Sequence, residues 1–283
     1  MTYREELDAF RSHYPFQELR AGGAVFRYIL AGPKDARTLV FLNGGTNTCE
    51  MWMRYVQPFS DRWQVLLFDY PRELATNPEL VQGMHAFFEA LHLEKPVLIG
   101  ASYGGMAAQM FTQQYPDFPG GLVLLSTGGM DKATLRSLHR KYFLTPLLLW
   151  YMKRANYEKM KPKLIDLGAS HAKNESPENQ RYAREMLEAI FADYTKEKDL
   201  HITGLLGGMM HMPPVTADTF APLAGKILLI LPTQDFFSPK MQQDLIALMH
   251  GPRLMTIAGG HIATILQPEV YIRAIGDFLQ QID

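Results

Sequence analysis

A glycine-rich turn directly after an apolar run constrains the fold of this chain more than any other feature. Residues 100–105 read Gly-Ala-Ser-Tyr-Gly-Gly and follow the β-forming run of residues 97–99. Residues 103–115 then have a helical pattern that ends before Pro116. A strand, a tight turn and a helix in this order force the central residue into a strained conformation and expose its side chain. Ser102 is therefore a candidate nucleophile, although the short motif alone also occurs as an ordinary turn.

A nucleophilic serine needs a general base and an acid that orients the base. The apolar run of residues 226–231 predicts a central strand, and Asp235 lies in the turn after it. The next predicted strand, residues 253–258, leads through two glycines to His261. We expect Asp235 to be the orienting acid and His261 the base. The alternatives are a turn-forming aspartate and a histidine of the core or of a turn.

Acyl transfer also requires N–H donors that stabilise an oxyanion. The predicted strand of residues 38–42 runs into the glycine-rich loop of residues 43–48, Asn-Gly-Gly-Thr-Asn-Thr. We expect the backbone N–H groups of Gly45 and Tyr103 to form the oxyanion hole. The alternative for this loop is an ordinary turn.

Strands and helices alternate along most of the chain. The predicted strands are residues 25–30, 38–42, 65–68, 97–99, 122–125, 226–231 and 253–258, the first of them at a sheet edge. The predicted helices are residues 3–12, a helix capped by Asn77, residues 103–115, residues 239–249 and a helix from Pro268. This alternation predicts an α/β fold with a mostly parallel sheet flanked by helices.

The sheet pattern stops between residues 128 and 214, where the chain becomes helical and more charged. Residues 177–194 and 199–210 predict helices within this insertion. We expect a core of residues 1–128 and 214–283 and a helical cap of residues 129–213. Because open α/β sheets bind ligands at the carboxyl ends of their strands, such a cap would shape the substrate pocket.

Two apolar features of the insertion have more than one interpretation. Residues 143–152 are apolar and aromatic with basic residues on both sides, a pattern of an interfacial segment that meets lipid. Since apolar periodic runs are usually buried, we expect this segment to pack against the core instead. Met209, Met210 and Met212 could line an adaptable substrate pocket or serve as plain packing, and the sequence favours neither.

Composition excludes several classes of protein. The chain has 283 residues, of which 47% are hydrophobic and 20% charged, as in an ordinary globular enzyme. Its net charge of −1 predicts no binding of nucleic acid.

Cys49 is the single cysteine, which excludes an internal disulfide, and we expect it to be a small buried residue. No metal, nucleotide or nicotinamide motif occurs, so we expect no cofactor. Without a signal core or an apolar span, the chain is expected to be soluble and cytoplasmic.

These motifs together resemble the α/β-hydrolase superfamily, from Phe26 to Leu279. The chain order Ser102, Asp235, His261 is the order of that fold and differs from those of two well-known serine protease folds. The resemblance implies a serine hydrolase with a cap. Related enzymes have His-Gly or His-Gly-Gly where this chain has Asn43-Gly44-Gly45, so the hydrogen bonding within this loop must differ.

Within the superfamily the chain is similar to a maspardin-like branch. The motifs that carry this likeness are Phe10-Arg11 before Pro15, the connection Asp69-Tyr70-Pro71, the turn around Ser102, and the aromatic segment of the cap. Maspardin itself looks like a member with an incomplete triad and an interaction role. The presence of His261 in this chain favours retained catalysis.

The sequence supports two functions of different classes. The first is a serine hydrolase for a carboxylic ester or a related apolar acyl substrate, in which thioester hydrolysis, C–C bond cleavage and acyl transfer remain open. The second is a noncatalytic module that binds a ligand or a protein. Within catalysis, Asp131 is a second candidate for the acid, because some superfamily members place it after the strand of residues 122–125. The oligomeric state has no signature in the sequence.

Overall fold

A computed structural model of the chain describes residues 2–282. One sheet contains the strands Gln17–Ala21 (β1), Ala24–Ala31 (β2), Thr38–Leu42 (β3), Gln64–Phe68 (β4), Val97–Ala101 (β5), Gly121–Leu125 (β6), Ile227–Gln234 (β7) and Arg253–Gly260 (β8). Their order across the sheet is β1-β2-β4-β3-β5-β6-β7-β8. The pairs β1–β2 and β2–β4 are antiparallel, and all other neighbours are parallel. The predicted α/β class with a mostly parallel sheet is confirmed.

Helices cover both faces of this sheet. Those outside the insertion are Tyr3–His13 (α1), Met53–Ser60 (α2), Asn77–Ala90 (α3), Tyr103–Gln114 (α4), Pro239–Leu248 (α10), Ala263–Leu266 (α11) and Pro268–Ile282 (α12). Between β6 and β7 the chain forms Lys132–Tyr142 (α5), Thr145–Arg154 (α6), Tyr157–Ala169 (α7), Pro177–Ala192 (α8) and Lys196–Met209 (α9). Residues of α3, α4 and α10 bury one face of the sheet, and residues of α1, α2 and α12 bury the other.

The central strands are buried along their whole length. Every residue of β3, β4, β5 and β6 is buried, which explains why these strands read as continuous apolar runs in the sequence. The prediction that residues 25–30 form an edge strand is wrong, because β1 pairs on the outer side of β2. The sequence Gln-Glu-Leu-Arg-Ala of β1 is short, polar and largely exposed, so it carries no strong strand pattern.

The N-cap of α3 is not Asn77, the residue that the sequence predicted. Thr76 is the N-cap: its side chain accepts a hydrogen bond from the Glu79 N–H, and the Glu79 carboxylate accepts one from the Thr76 N–H. This reciprocal pair is a capping box. Asn77 is instead buried, where it donates to the Leu205 carbonyl of α9 and accepts from the Tyr103 hydroxyl of α4. Asn77 therefore connects the insertion to the helix that follows Ser102.

The apolar segment 143–152 lies at the surface, so the expectation that it packs against the core is wrong. Phe143, Leu147 and Trp150 are 61%, 59% and 52% exposed, whereas Met152 is 3% exposed. The reason is that α6 packs on α9 through one face only, where Thr145 lies against Gly207. The apolar pattern extends around more of α6 than this face can bury.

Helix α4 lies unusually close to the sheet. A Cβ atom on Gly104 would overlap the carbonyl oxygen of Leu42 in β3, and one on Gly100 would overlap the carbonyl oxygen of Gly104. Both obstacles are backbone atoms, which cannot rotate away as a flexible side chain can. The glycines around Ser102 are therefore required by the close contact between α4 and the central strands.

We predict that Gly104→Ala lowers the free energy of unfolding by about 1–3 kcal/mol, since the added methyl group forces α4 away from β3. The matched control is Gly276→Ala in α12, where an added Cβ meets no atom within 4 Å. This control should stabilise the protein by up to about 1 kcal/mol, because alanine restricts the unfolded chain. Urea unfolding of both variants measures the difference. Equal stability of the two variants would contradict the close packing of α4.

Candidate active site

Ser102 occupies the turn between β5 and α4 in a conformation that side chains rarely adopt. Its φ and ψ angles are 54° and −120°. Backbone hydrogen bonds hold it there: its N–H donates to the Leu125 carbonyl at 3.0 Å, and its carbonyl accepts from the Gly105 N–H at 3.0 Å. The Thr127 hydroxyl donates to the same carbonyl at 2.7 Å. Such backbone strain costs about 1–3 kcal/mol and persists only where surrounding contacts hold the residue in the unfavourable conformation.

The structure brings Ser102, His261 and Asp235 together at the carboxyl edge of the sheet. Ser102 follows β5, Asp235 follows β7 and His261 follows β8. These strands are parallel, so their carboxyl ends lie at one edge of the sheet. The Ser102 Oγ atom lies 3.0 Å from His261 Nε2, and His261 Nδ1 lies 2.8 Å from Asp235 Oδ1. With its proton on Nδ1, the imidazole donates to the carboxylate and accepts from the hydroxyl.

The acid and the base of this hydrogen-bonded chain are shielded from solvent. The side chain of Asp235 is 1% exposed and that of His261 is 12% exposed. Asp235 Oδ1 also accepts a hydrogen bond from the Phe237 N–H at 3.3 Å. The ring of Phe236 lies 4.2 Å from the His261 ring, centroid to centroid. Burial strengthens the attraction between a carboxylate and an imidazolium, because water screens it less.

Asp131, the second candidate for the acid, has another role in the structure. It is the N-cap of α5, and its Oδ1 atom accepts hydrogen bonds from the Ala133 and Thr134 N–H groups at 2.9 and 3.0 Å. A carboxylate in this position also interacts favourably with the positive end of the helix. Asp235, rather than Asp131, contacts the histidine.

The loop of residues 43–48 and the first residue of α4 both lie beside Ser102. A Cβ atom on Gly44 would be 3.6 Å from the Ser102 Cβ atom, so the loop of residues 43–48 runs next to the serine. Gly45 follows it and is exposed. Tyr103 is the first residue of α4, where an N–H group has no acceptor within the helix. The positive end of α4 therefore favours an oxyanion that forms near Ser102.

The loop of residues 43–48 is held by a buried network that the sequence analysis did not identify. Asn43 Nδ2 donates to the Phe68 carbonyl at 2.7 Å, and the Tyr70 hydroxyl donates to the Asn43 carbonyl at 2.9 Å. Asn47 Oδ1 accepts from the Tyr70 N–H at 2.7 Å, and Asn47 Nδ2 donates to the Tyr70 carbonyl at 3.0 Å. Burial raises the pKa of the Tyr70 hydroxyl well above its usual range, so the hydroxyl stays a donor. These hydrogen bonds fix the loop through the side chains of Asn43, Asn47 and Tyr70.

The far side of the same loop is tied to the insertion. The Tyr194 hydroxyl donates to the Thr46 carbonyl at 2.7 Å. Asp69 accepts from the Cys49 N–H at 2.8 Å and pairs with Lys198 of α9 at 3.4 Å. Cys49 is buried as predicted, and its burial, followed by the Asp69 charge, raises the pKa of its thiol. The thiol is therefore protonated and unreactive at neutral pH.

The methionines predicted as a substrate pocket lie at the end of α9. Met209 is buried, and Met210 and Met212 are half-buried, in the core cluster that includes residues of α3 and α4. The α9 side chain that approaches the loop of residues 43–48 is Leu206, whose Cδ1 atom lies 3.6 Å from where a Cβ would stand on Gly45. Sequence reasoning missed Leu206, because the weak amphipathic pattern of α9 did not indicate which side faces the loop.

His171 is a further neighbour of the site that the sequence did not reveal. It lies in the short helical turn Ser170–Ala172, with its ring 5.8 Å from the His261 ring. Partial burial, and then the charge of a protonated His261, lower the pKa of His171. At neutral pH it therefore adds no positive charge beside His261.

Among residues 2–282, no group of three or more His, Cys, Asp or Glu side chains is arranged to hold a metal ion. In the same part of the chain, no helix is both long and apolar enough to cross a membrane.

Known proteins resemble this chain over part or all of its length. The chain is 28% identical to the serine hydrolase-like protein of Danio rerio over 138 residues, which are 45% of this chain and 40% of that protein. The chain spans less than half the length of the curated relatives compared with it.

Solved structures resemble the whole fold at lower identity. A thermophilic esterase from Thermogutta terrifontis has a TM-score of 0.73 at 19% identity, covering 94% of this chain and 99% of that one. A Bacillus megaterium epoxide hydrolase has a TM-score of 0.69 at 15% identity, covering 93% and 100%. The model of the alpha/beta hydrolase family matches residues 39–274. The chain therefore belongs to the alpha/beta hydrolase family.

Proposed function

We propose that the protein is a serine hydrolase that cleaves a carboxylic ester or a related acyl substrate through an acyl-enzyme on Ser102. The observation that carries this proposal is the hydrogen-bonded chain from Ser102 Oγ to His261 Nε2 and from His261 Nδ1 to Asp235, at 3.0 and 2.8 Å. A hydroxyl, a base and a carboxylate in this order form the arrangement that activates a serine for acyl transfer.

In the first half of the reaction, Ser102 Oγ attacks the carbonyl carbon while its proton moves to His261 Nε2. Asp235 stabilises the imidazolium through the Nδ1–H bond and keeps the ring in its orientation. The tetrahedral intermediate collapses when His261 returns the proton to the departing alcohol oxygen. The alcohol leaves, and the acyl group remains as an ester on Ser102.

In the second half, water attacks this ester and gives a proton to His261. The second tetrahedral intermediate releases the carboxylic acid as the proton returns from His261 to Ser102 Oγ. In both intermediates the Gly45 and Tyr103 N–H groups stabilise the oxyanion. Removal of one such donor typically raises the barrier by about 2.7–4 kcal/mol.

We further propose that residues 129–213 form a cap over a core of residues 1–128 and 214–283. The approach of Leu206 to Gly45 supports this role, as does the hydrogen bond from Tyr194 to Thr46. We expect an apolar acyl group to lie beside Leu206, with Met209, Met210 and Met212 as further candidates for its lining. Thioester hydrolysis, C–C bond cleavage and acyl transfer would use the same residues, because the fold does not fix the reaction.

The second candidate function is a noncatalytic module that binds a ligand or a protein. Asn43, which stands where related enzymes have histidine, favours this reading, and the hydrogen-bonded chain at Ser102 counts against it. Reactivity of Ser102 separates the two functions without knowledge of the substrate.

A fluorophosphonate probe should add one adduct to the wild-type protein and none to Ser102→Ala, as measured by intact mass. Only a serine activated by a base displaces fluoride from the probe at neutral pH. Ser126→Ala is the matched control, because Ser126 also follows a parallel strand with a positive φ of 45° and should leave the adduct in place. A folded wild-type protein without an adduct would favour the noncatalytic module.

We expect Asp235→Asn to lower kcat for ester hydrolysis by about 10⁴-fold, because an amide favours the wrong tautomer of His261. Asp131→Asn should change kcat less than about twofold, since asparagine caps a helix as well as aspartate does. Steady-state kinetics with an activated ester measures both variants. The reverse ranking would reassign the acid to Asp131.

The Tyr70→Phe variant tests the role of the oxyanion loop. It leaves the buried carbonyl of Asn43 without its donor, which should lower the free energy of unfolding by about 1–3 kcal/mol. Turnover should also fall, but by less than the roughly 10²–10³-fold loss expected for a whole oxyanion donor. Ser102 should still react with the fluorophosphonate probe. Unchanged stability together with unchanged turnover would show that Tyr70 does not position this loop.

A further inference from the structure

The turn between α5 and α6, together with α6 itself, carries a continuous apolar surface, here called the α6 surface. Its members are between 41% and 61% exposed: Tyr142, Phe143, Leu144, Leu147, Leu148, Trp150 and Tyr151. Single exposed apolar residues are common, but a contiguous group of this size marks a site of interaction.

From residue 146 to residue 152, helix α6 is apolar on the face that it buries and also on the face that it exposes. Thr145 and Met152 lie on the side packed against α9. Leu147 and Tyr151 lie one turn apart on the opposite side, with Leu148 between the two faces. A helical segment that is apolar all round is normally buried or in contact with lipid. Some partner is therefore expected to cover the outer face of α6.

Charges around the α6 surface indicate which partner fits. The sequence from Lys132 to Tyr157 contains no Asp or Glu, whereas the chain as a whole has a net charge of −1. Arg140 and Lys141 precede the apolar residues, and Lys153 and Arg154 follow them, all four of them exposed. An apolar centre with aromatic residues and a basic rim matches the interface of an anionic phospholipid membrane.

The same charges disfavour a second copy of this chain as the partner. A twofold interface would bring the α6 surfaces of two copies together and would place like-charged rims opposite each other. Such like-charge contacts oppose association. At a membrane, by contrast, the basic side chains extend to anionic headgroups while the apolar ones enter the layer beneath.

The α6 surface also lies close to the candidate active site. On its inner side α6 packs against α9, which presents Leu206 to the loop at Gly45. At its edge, the Lys141 Nζ atom lies 5.5 Å from the ring centre of Phe236, and that ring is 4.2 Å from the ring of His261. Phe236 is itself 38% exposed. A lipid layer in contact with α6 would thus lie near the rim of the site.

We propose that the α6 surface docks on an anionic phospholipid membrane, with its apolar side chains in the interface and Arg140, Lys141, Lys153 and Arg154 on the headgroups. The hydrolase then draws a lipophilic acyl substrate from this layer. Only this second statement rests on the proposed function, since docking itself requires no catalysis.

Docking is tested by flotation of the Ser102→Ala protein with vesicles of phosphatidylcholine, alone or mixed with phosphatidylserine. Binding to the mixed vesicles should be at least about tenfold tighter than to the neutral ones and should weaken with salt. Leu147→Ser combined with Trp150→Ala should lower binding at least about tenfold. The matched control is Leu167→Ser in α7, which removes an even more exposed leucine, at 65%, outside the α6 surface and should not change binding.

Protein that stays in solution with the mixed vesicles would overturn the proposal. Equal loss of binding in the Leu167→Ser control would also overturn it, as would a dimer in sedimentation velocity that the double variant converts to monomer. When Ser102 is kept as serine, the protein with Leu147→Ser and Trp150→Ala should still hydrolyse a water-soluble ester. It should no longer hydrolyse an ester carried in vesicles. Vesicle binding without any hydrolysis would refute the proposed function and leave membrane docking intact.

Discussion

Ser102 is held at a φ of +54°, and the geometry of the whole site depends on the contacts that keep it there. Its backbone is hydrogen-bonded to Leu125 and Gly105. Because Gly100 and Gly104 have no Cβ atom, α4 can approach the central strands. These contacts set the hydroxyl at the carboxyl edge of a parallel sheet. Because β7 and β8 end at the same edge, a carboxylate and an imidazole can reach it without any change of the core.

The other half of the proposed site is the loop of residues 43–48, to which we assign the oxyanion donor Gly45. Here the loop of residues 43–48 is bonded to the segment after β4 through Asn43, Asn47 and Tyr70, and to the insertion through Tyr194. Buried hydrogen bonds of this kind are costly to leave unmade, so they fix one loop conformation. Fixed dipoles need little reorganisation when an oxyanion forms, which is how such a loop would lower a barrier. The insertion thus helps to hold the loop, through the hydrogen bond from Tyr194 to Thr46.

Much of the fold could be predicted from the sequence because the central strands are buried on both faces and read as apolar runs. The turn at Ser102 was recognisable from the sequence because the glycines that it requires lie within a few residues of Ser102. Features that depend on distant contacts were not predictable: Asn77 looks like a helix cap but is a buried bridge to α9, and Tyr70 gives no local sign of its bond to Asn43. The exposure of residues 143–152 was missed because periodicity shows that a face is apolar, not whether anything covers it.

The central claim is that Ser102 carries an acyl group during turnover. Rapid quenching of the wild-type protein with an activated ester, followed by peptide mass analysis, tests it most directly. We expect a mass increase equal to one acyl group on the peptide that contains Ser102, formed with the first equivalent of released alcohol. Hydrolysis of the ester without an acylated peptide, or with the acyl group on another residue, would contradict the claim.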